Sequence, residues 1–242
     1  MTAPIEIHYW PTPNGHKVTI ACEEMGVPYE IKPVNIGRGD QFKPEFLAIS
    51  PNNRMPAIVD PDGPGGAPIA IFESGAILQY LGRKTGRFYP QEERARVKVD
   101  EWVFWQMANF GPNAGQRAHF RNYAPSFIHD QRQVAYGAIR YTNEVNRLYG
   151  VLNTQLQGKD YITGEYTIAD MITWPWVQGR SNAGLDLDEF PAVKAWQARV
   201  EAREAVGRAM AKARDFVGVG MQGTGPGAAA ARAVLLGQRA RT

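Results

Sequence analysis

The chain has 242 residues, of which 44% are hydrophobic and 21% are charged, and its formal net charge at pH 7 is +3. This composition is typical of globular proteins, and the length is sufficient for two domains. The single cysteine, Cys22, excludes an internal disulfide framework, and the four histidines lack metal-ligand spacing, so we expect no metal. No window approaches the roughly 18 continuous apolar residues of a membrane span, and no signal peptide pattern begins the chain. We therefore expect a soluble, cytoplasmic protein.

Strand and helix patterns alternate over the first 86 residues. Short apolar or alternating runs predict strands at Ile5–Tyr9, Tyr29–Val34, Ala57–Asp60 and Ile69–Phe72. Apolar residues at helical spacing predict helices at Gly15–Met25, Phe42–Ile49 and Ser74–Lys84. The order β-α-β-α-β-β-α predicts a compact α/β domain at residues 1–86.

Strand patterns are not seen after residue 90, and the composition shift there indicates a domain boundary. An all-helical domain is predicted at residues 92–215, with helices at Glu92–Phe110, Ser126–Leu156, Thr167–Gln178 and Pro191–Ala213. Residues 216–242 are rich in glycine and alanine and are predicted to be an extension with a short helix at Ala228–Leu236.

The C-terminal part of the chain is basic. From Lys194 to Thr242 there are nine basic and three acidic residues. The basic residues are scattered, without interleaved aromatic residues between Arg199 and Arg214, which favours a solvated helix face over a nucleic-acid site. We expect no nucleic-acid or membrane partner.

A strand-to-helix corner at Pro11-Thr12-Pro13-Asn14-Gly15 raises the first question of chemistry. Such a corner presents backbone N–H groups and the positive end of a helix dipole, which suit an anion or a thiolate. Redox proteins of one known fold carry a Cys-x-x-Cys pair in this place, but here there is no cysteine. The corner is therefore either a helix cap alone or a site for sulfur that another molecule supplies.

Two further segments of the small domain have polar or proline residues at the start of an element. Pro56 directly precedes the third strand, and a cis Met55–Pro56 bond would let the Met55 backbone pair with an extended ligand. X-Pro bonds are cis in only about 5–6% of cases in folded proteins, so the spacing alone favours a structural proline. Ser74 is a candidate N-cap that could bind a carboxylate, and Glu73 could accept a ligand ammonium, although capping alone is the simpler interpretation.

These three signals, TPNG, RMP and FES, follow one another in the order found in glutathione transferases. The sequence resembles that superfamily and is similar in particular to its bacterial Nu class, which are glutathione-dependent disulfide-bond oxidoreductases. The resemblance is carried by TPNGHK at 12–17, GRGDQFKPEFLAISPNNRMPAIVD at 37–60, FESGAILQYL at 72–81, RLYGVLN at 147–153, YTIADMITWPWV at 166–177 and FPAVKAW at 190–196. It covers about residues 5–210, and it implies a thioredoxin-like α/β N-terminal domain followed by an all-α C-terminal domain.

The resemblance also implies roles for individual residues. Thr12 and Asn14 would donate hydrogen bonds to the glutathione sulfur and stabilise its thiolate. The remaining implied contacts to glutathione come from the Met55 backbone at the cysteinyl unit, Glu73 and Ser74 at the γ-glutamyl end, Gln41 at the other end, and Arg140 at a carboxylate.

The implied reaction is reduction of a small disulfide by two glutathione molecules bound in one site, in a protein that forms a homodimer. Two alternatives remain open on the same scaffold. One is conjugation of glutathione to an electrophile or thiolate cleavage of an aryl ether bond, and the other is a regulatory protein that binds glutathione without catalysis.

Three other residue sets have predicted roles. Thr167 and Asp170 form a variant of the capping box at the start of a nearly all-apolar helix, so Asp170 is predicted to be structural. Cys22 lies on the apolar face of its helix and is predicted to be an inert core residue. Gln106 and Asn109 are polar residues near the end of an aromatic-rich helix and are candidates for ligand contact.

Overall fold

The computed structural model describes residues 3–178, 185–216 and 226–237. Its sheet has four strands in the order β2-β1-β3-β4, where β1 is Ile5–Tyr9, β2 is Tyr29–Pro33, β3 is Ala57–Asp60 and β4 is Ile69–Phe72. Strands β1 and β2 are parallel, and the pairs β1–β3 and β3–β4 are antiparallel. The helices of this part are α1 at Pro13–Met25, α2 at Pro44–Leu47 and α3 at Ser74–Thr85. The predicted order of elements and the thioredoxin-like α/β fold are confirmed.

From residue 93 onward, every regular element in the described residues is helical. The helices are α4 at Glu93–Trp105, α5 at Gly111–Ala118, α6 at Gln131–Leu156, α7 at Ile168–Val177, α8 at Pro191–Glu201, α9 at Glu204–Lys212 and α10 at Pro226–Leu236. The short helix predicted in the C-terminal extension is confirmed, while residues 217–225 and 238–242 of that extension lie outside the described residues. Among the described helices, none is both long enough and apolar enough to cross a bilayer.

Several predicted helix boundaries were wrong. The helix predicted to continue to Phe110 changes at Gln106–Phe110 into a π-helical segment. The helix predicted from Pro191 to Ala213 is two helices, α8 and α9. Because Val200 and Val206 are buried on either side of that break, the apolar periodicity continues through it and conceals it. Helix α5 was not predicted, since glycine and proline are unfavourable in helices and occupy three of its first five positions.

One hydrophobic core runs from the sheet into the helical part. Alternate residues of β1 are buried, with Ile7 paired opposite Ile31 of β2 and Ile58 of β3. The same cluster of buried side chains includes Val18 of α1 and continues to Trp174 of α7. Helix α1 is therefore packed between the sheet and the helical part, and its N-terminal end lies at the junction of the two.

Helix α7 is buried over almost its whole length and begins with the predicted capping box. Asp170 is completely buried and accepts hydrogen bonds from the backbone N–H groups of Ile162 and Thr167, at 3.0 Å each, and from Trp196 Nε1 at 2.8 Å. The carboxylate thus joins the start of α7, the preceding loop and α8. The prediction that Asp170 is a structural residue is confirmed.

We predict that Asp170→Ala lowers the free energy of unfolding by about 3 kcal/mol or more, because three buried donors lose their acceptor. Urea denaturation followed by circular dichroism measures the change. Asp188→Ala is the matched control, since Asp188 is exposed and its partner is the exposed Lys194, so a loss below about 1 kcal/mol is expected there. Equal stability of the two variants would contradict the role given to Asp170.

Candidate active site

The first strand-to-helix corner is held in place by a close approach of the chain to itself. A Cβ atom added to Gly15 would lie 2.2 Å from the carbonyl oxygen of Trp10 and 2.9 Å from the Tyr9 ring. Only glycine fits such a distance, so α1 can begin directly against the end of β1. The corner therefore presents the first residues of α1 at the carboxyl end of the central strand β1.

Thr12 is the N-cap of α1, with an extended backbone and Pro13 as the first helical residue. Its hydroxyl oxygen accepts the N–H of Gly15 at 3.3 Å, and its hydroxyl lies 3.5 Å from Met55 Sδ. A hydroxyl accepts and donates at the same time, and a thioether is a weak acceptor. The Thr12 proton is thus available to a stronger acceptor that enters the corner.

Asn14 has its amide orientation set by the helical part of the protein. Its Oδ1 atom accepts a hydrogen bond from Trp176 Nε1 of α7 at 2.9 Å. Because an indole N–H can only donate, the oxygen of the Asn14 amide must face Trp176, and its N–H₂ group is turned elsewhere. Trp176 was not predicted as a site residue; in the structure it is half-buried, whereas most residues of its helix are fully buried.

The Met55–Pro56 peptide bond is cis, in contrast to the structural proline that the spacing alone favoured. Met55 is buried in a small cluster with Trp10, Phe46 and other apolar side chains, and β3 begins two residues later. The predicted backbone site is therefore at the edge of the corner, beside Thr12.

Glu73 and Ser74 lie at the start of α3. Glu73, rather than Ser74, is the N-cap residue, which corrects the predicted cap by one position. Its φ of 68° is in the left-handed region that non-glycine residues rarely adopt, and such backbones occur often at functional sites. Ser74 is the first helical residue and is buried, with its hydroxyl within 3.4 Å of both Lys17 Nζ and Met107 Sδ.

Two of the predicted residues are not brought to the corner by described contacts. Gln41 is only 1% exposed, its Nε2 donates to the carbonyl of Ile36 at 3.2 Å, and its Oε1 has no partner among the described residues. Arg140 lies on α6 with a side chain that is 54% exposed, 3.7 Å from Glu144 on the same helix. Their predicted contacts with glutathione stay predictions.

A cavity of about 360 Å³ opens beside Asn14 at the junction of the two parts. Its lining includes Lys17 of α1, Gln106 of the π-helical segment, Gln116 of α5 and Trp176 of α7. The volume is within the range of small-molecule sites. Gln106, a candidate for ligand contact in the sequence, lines the cavity, whereas Asn109 is exposed and is not part of the lining.

Burial changes the pKa values of three ionisable groups on α1, namely Lys17, His16 and Cys22. Burial lowers the pKa of Lys17 to about 7 and that of His16 to about 4. Burial, reinforced by Glu23, raises the pKa of the Cys22 thiol well above its usual range. Cys22 is therefore a neutral core residue, as predicted, and cannot supply a thiolate at neutral pH.

The corner is thus a helix N-terminus with two side-chain donors, an adjoining cavity and no usable cysteine. Such a site can stabilise the thiolate of a bound thiol without bonding to it. Within residues 3–178, 185–216 and 226–237, no three His, Cys, Asp or Glu side chains are grouped to bind a metal ion.

Comparison with known proteins agrees with this arrangement. Residues 12–84 match the glutathione S-transferase N-terminal domain, and residues 126–204 match the glutathione S-transferase C-terminal domain. The disulfide-bond oxidoreductase YfcG of Escherichia coli (strain K12) is 46% identical over 212 residues, which are 87% of this chain and 96% of YfcG.

Two solved structures are also similar to the chain. A glutathione transferase family member from Pseudomonas fluorescens pf-5, with two glutathione molecules bound, is 46% identical with a TM-score of 0.80, over 85% of this chain and 92% of that one. A glutathione transferase from Pseudomonas putida, with one glutathione disulfide bound per subunit, is 40% identical with a TM-score of 0.80. The match covers 86% of this chain and 90% of that one. The chain therefore belongs to the glutathione transferase family.

Proposed function

We propose that this protein reduces small disulfides with two glutathione molecules as the electron donors. The observation that carries the proposal is the corner at Thr12 and Asn14, which has donors suited to a thiolate although the only cysteine is buried. A similar E. coli protein bears the name disulfide-bond oxidoreductase, and a similar Pseudomonas structure contains two bound glutathione molecules. The named activity of the first relative and the two glutathione molecules in the second both support the proposed reaction.

Thr12 and Asn14 act on the first glutathione thiol in this proposal. A free thiol has a pKa of about 8.5, so little of it is ionised at neutral pH. The Thr12 hydroxyl, the Asn14 amide N–H₂ and the N-terminus of α1 favour the charged form and lower that pKa. Neither side chain can act as a base at neutral pH, so the contribution of the protein is electrostatic.

The remainder of the tripeptide is held by the other predicted residues. The Met55 backbone pairs with the cysteinyl unit, and Glu73 and Ser74 bind the ammonium and carboxylate of the γ-glutamyl end. Gln41 binds the other end and Arg140 reaches a carboxylate. For Gln41 this requires the side-chain amide to turn toward the ligand, so that either the unpartnered Oε1 or the Nε2 that now donates to the Ile36 carbonyl makes the contact.

The reaction consists of two thiol–disulfide exchanges. The first glutathione thiolate attacks one sulfur of the substrate disulfide, forms a mixed disulfide and releases one substrate thiolate. The second glutathione thiolate attacks the glutathione sulfur of that mixed disulfide, forms glutathione disulfide and releases the second substrate thiolate. Two glutathione thiols supply two electrons, and their protons, exchanged through solvent, end on the two substrate thiols.

We predict that Asn14→Ala and Thr12→Ala each lower kcat/KM for disulfide reduction by roughly tenfold or more, which is about 1.4 kcal/mol of transition-state stabilisation. The assay follows glutathione-dependent reduction of 2-hydroxyethyl disulfide through NADPH consumption by glutathione reductase. Thr12→Ser keeps the hydroxyl and is expected to retain most activity.

Asn113→Ala, which removes a half-buried amide of α5 that bonds only to the Asn109 carbonyl among the described residues, is the control for loss of an asparagine. Wild-type turnover equal to the reaction without enzyme would exclude disulfide reduction. The protein would then be assayed with electrophiles and aryl ethers, and by glutathione binding alone.

We further predict that Trp176→Phe lowers kcat/KM about fivefold to tenfold, because Asn14 loses the donor that orients its amide, a hydrogen bond of about 1 kcal/mol. The double variant Asn14→Ala with Trp176→Phe distinguishes orientation from general damage. If Trp176 acts through Asn14, the double variant is no worse than Asn14→Ala alone. Multiplicative losses in the double variant would show that Trp176 acts independently of Asn14.

We propose that the protein forms a homodimer through the outer face of α4 and α6. Large apolar side chains are exposed there, with Tyr136 at 73% and Ile139 at 62% on α6, and Phe104 exposed on α4. Tyr136 and Ile139 are three residues apart and therefore neighbours on one face of α6, and exposed apolar patches mark protein interfaces. Arg140 follows Ile139 on the same helix, so an interface at this face would also change the surroundings of Arg140.

We predict that Tyr136→Asp combined with Ile139→Asp converts the dimer into a monomer, since two charges would be buried at the interface. Sedimentation velocity measures the change. Val151→Asp is the control, because Val151 is a partly exposed apolar residue on the same helix about 18 Å further along the axis. A wild-type protein that sediments as a monomer would contradict the proposed interface.

A further inference from the structure

Lys17 is a charged side chain with almost no access to solvent. It lies on α1 one turn after Asn14, and it is 1% exposed. Lysine is rarely buried this completely unless it is paired with an opposite charge. The position is thus unusual, and it adjoins the cavity beside the corner.

The ammonium group of Lys17 donates its three hydrogen bonds to three uncharged partners. Its Nζ atom lies 2.7 Å from Gln106 Oε1, 3.4 Å from Ser74 Oγ and 3.5 Å from Met107 Sδ. No carboxylate oxygen of the described residues is within ion-pair distance. The buried charge is therefore hydrogen-bonded but lacks a neutralising partner, which is costly in a low-dielectric site.

Gln106 gives a second, independent indication that a ligand belongs here. An ammonium can only donate, so the amide oxygen of Gln106 must face Lys17, and the amide N–H₂ group faces the opposite way. That nitrogen is completely buried and has no partner among the described residues, and Gln106 lines the cavity. A buried donor without an acceptor is a position where a bound acceptor would be stabilising.

We propose that Lys17 is a positioning residue for bound glutathione, taking the ligand from the proposed function. Its ammonium group holds Ser74 and Gln106 in their binding orientations and supplies a buried positive charge that the anionic ligand neutralises. Ser74 is the predicted carboxylate contact, and Asn14, one turn before Lys17, is the predicted sulfur contact. Lys17 therefore lies behind the predicted contact for the γ-glutamyl carboxylate and one helix turn from the predicted contact for the thiolate.

The charge of Lys17 depends on pH in the range where the protein would work. Burial lowers its pKa to about 7, while the nearby Glu73 carboxylate acts in the opposite direction. Among the described residues, Glu73 is the charged group that acts on Lys17, and its neighbours from the other packed elements, Gln106, Met107 and Trp176, are uncharged. His16 on the same helix contacts Tyr9. Its pKa is about 4, so it stays neutral around pH 7.

The direction in which affinity changes with pH follows from the negative charge of the ligand. A bound anion favours the protonated lysine, so the lysine contributes affinity below its pKa. That contribution is lost as the pH rises through about 7. A pKa increase of one unit on binding corresponds to a tenfold difference in affinity between the two pH limits.

The test measures binding of S-methylglutathione by isothermal titration calorimetry between about pH 6 and about pH 8.5, around the pKa of Lys17. This probe has no thiol, so titration of the glutathione sulfur does not contribute. The variants are Lys17→Arg, which keeps its charge at every pH used, and Lys17→Met, which has no charge. Lys159→Met, an exposed lysine between α6 and α7, controls for loss of a surface charge.

We expect wild-type affinity to fall about tenfold more than that of Lys17→Arg as the pH rises over this range. The ligand and all other groups titrate in the same way in both proteins. The difference between the two pH profiles of affinity is therefore due to the titration of Lys17. Lys17→Met should bind about tenfold more weakly than wild type near pH 6, and Lys159→Met should match wild type.

Parallel pH profiles of wild type and Lys17→Arg would overturn the proposal, and this comparison decides the question even if Lys17→Met fails to fold. A wild type that does not bind S-methylglutathione would also overturn it. A wild type that binds the probe but does not reduce disulfides would overturn the proposed reaction alone, because the calorimetric assay involves no turnover.

Discussion

The structure depends on polar contacts that cross the junction between the sheet and the helices, where neither part could satisfy them alone. Asn14 accepts from Trp176, 162 residues later, and Lys17 donates to Gln106. At the other end of α1, Glu24 forms a two-point ion pair with Arg203 at 2.6 and 2.8 Å. Buried polar groups without partners are costly, so these contacts fix how α1 is placed against the helical part.

This placement has a direct consequence for the corner. The helix N-terminus, its dipole and the Thr12 hydroxyl come from the small domain, but the orientation of the Asn14 amide comes from Trp176 of α7. A donor that is aimed before the ligand arrives needs no reorganisation at the moment of reaction, which is the condition under which electrostatic stabilisation is strongest. The helical part is therefore part of the proposed thiolate site as well as a wall of the cavity.

The small domain could be predicted from sequence because each of its signals is local: alternation in the strands, a proline and a cap at the corner, and glycine after α3. The contacts of Trp176 and Gln106 could not, because they depend on how two distant helices pack. Lys17 was missed for another reason, since a lysine within TPNGHK carries no sign that it is buried. The break between α8 and α9 was hidden because the apolar residues keep their spacing through it.

A site without its own sulfur places a particular demand on the surrounding charges. In a protein thiol, the covalent chain holds the reactive atom in place, whereas in the proposed function the bound tripeptide must be held by its charged ends so that its sulfur reaches the corner. Ser74 and Lys17 are in contact with each other, and Lys17 is one turn from Asn14. In the proposed function, binding of the ligand carboxylate and alignment of its thiol are consequently coupled through one helix turn, so interactions remote from the sulfur contribute to its orientation.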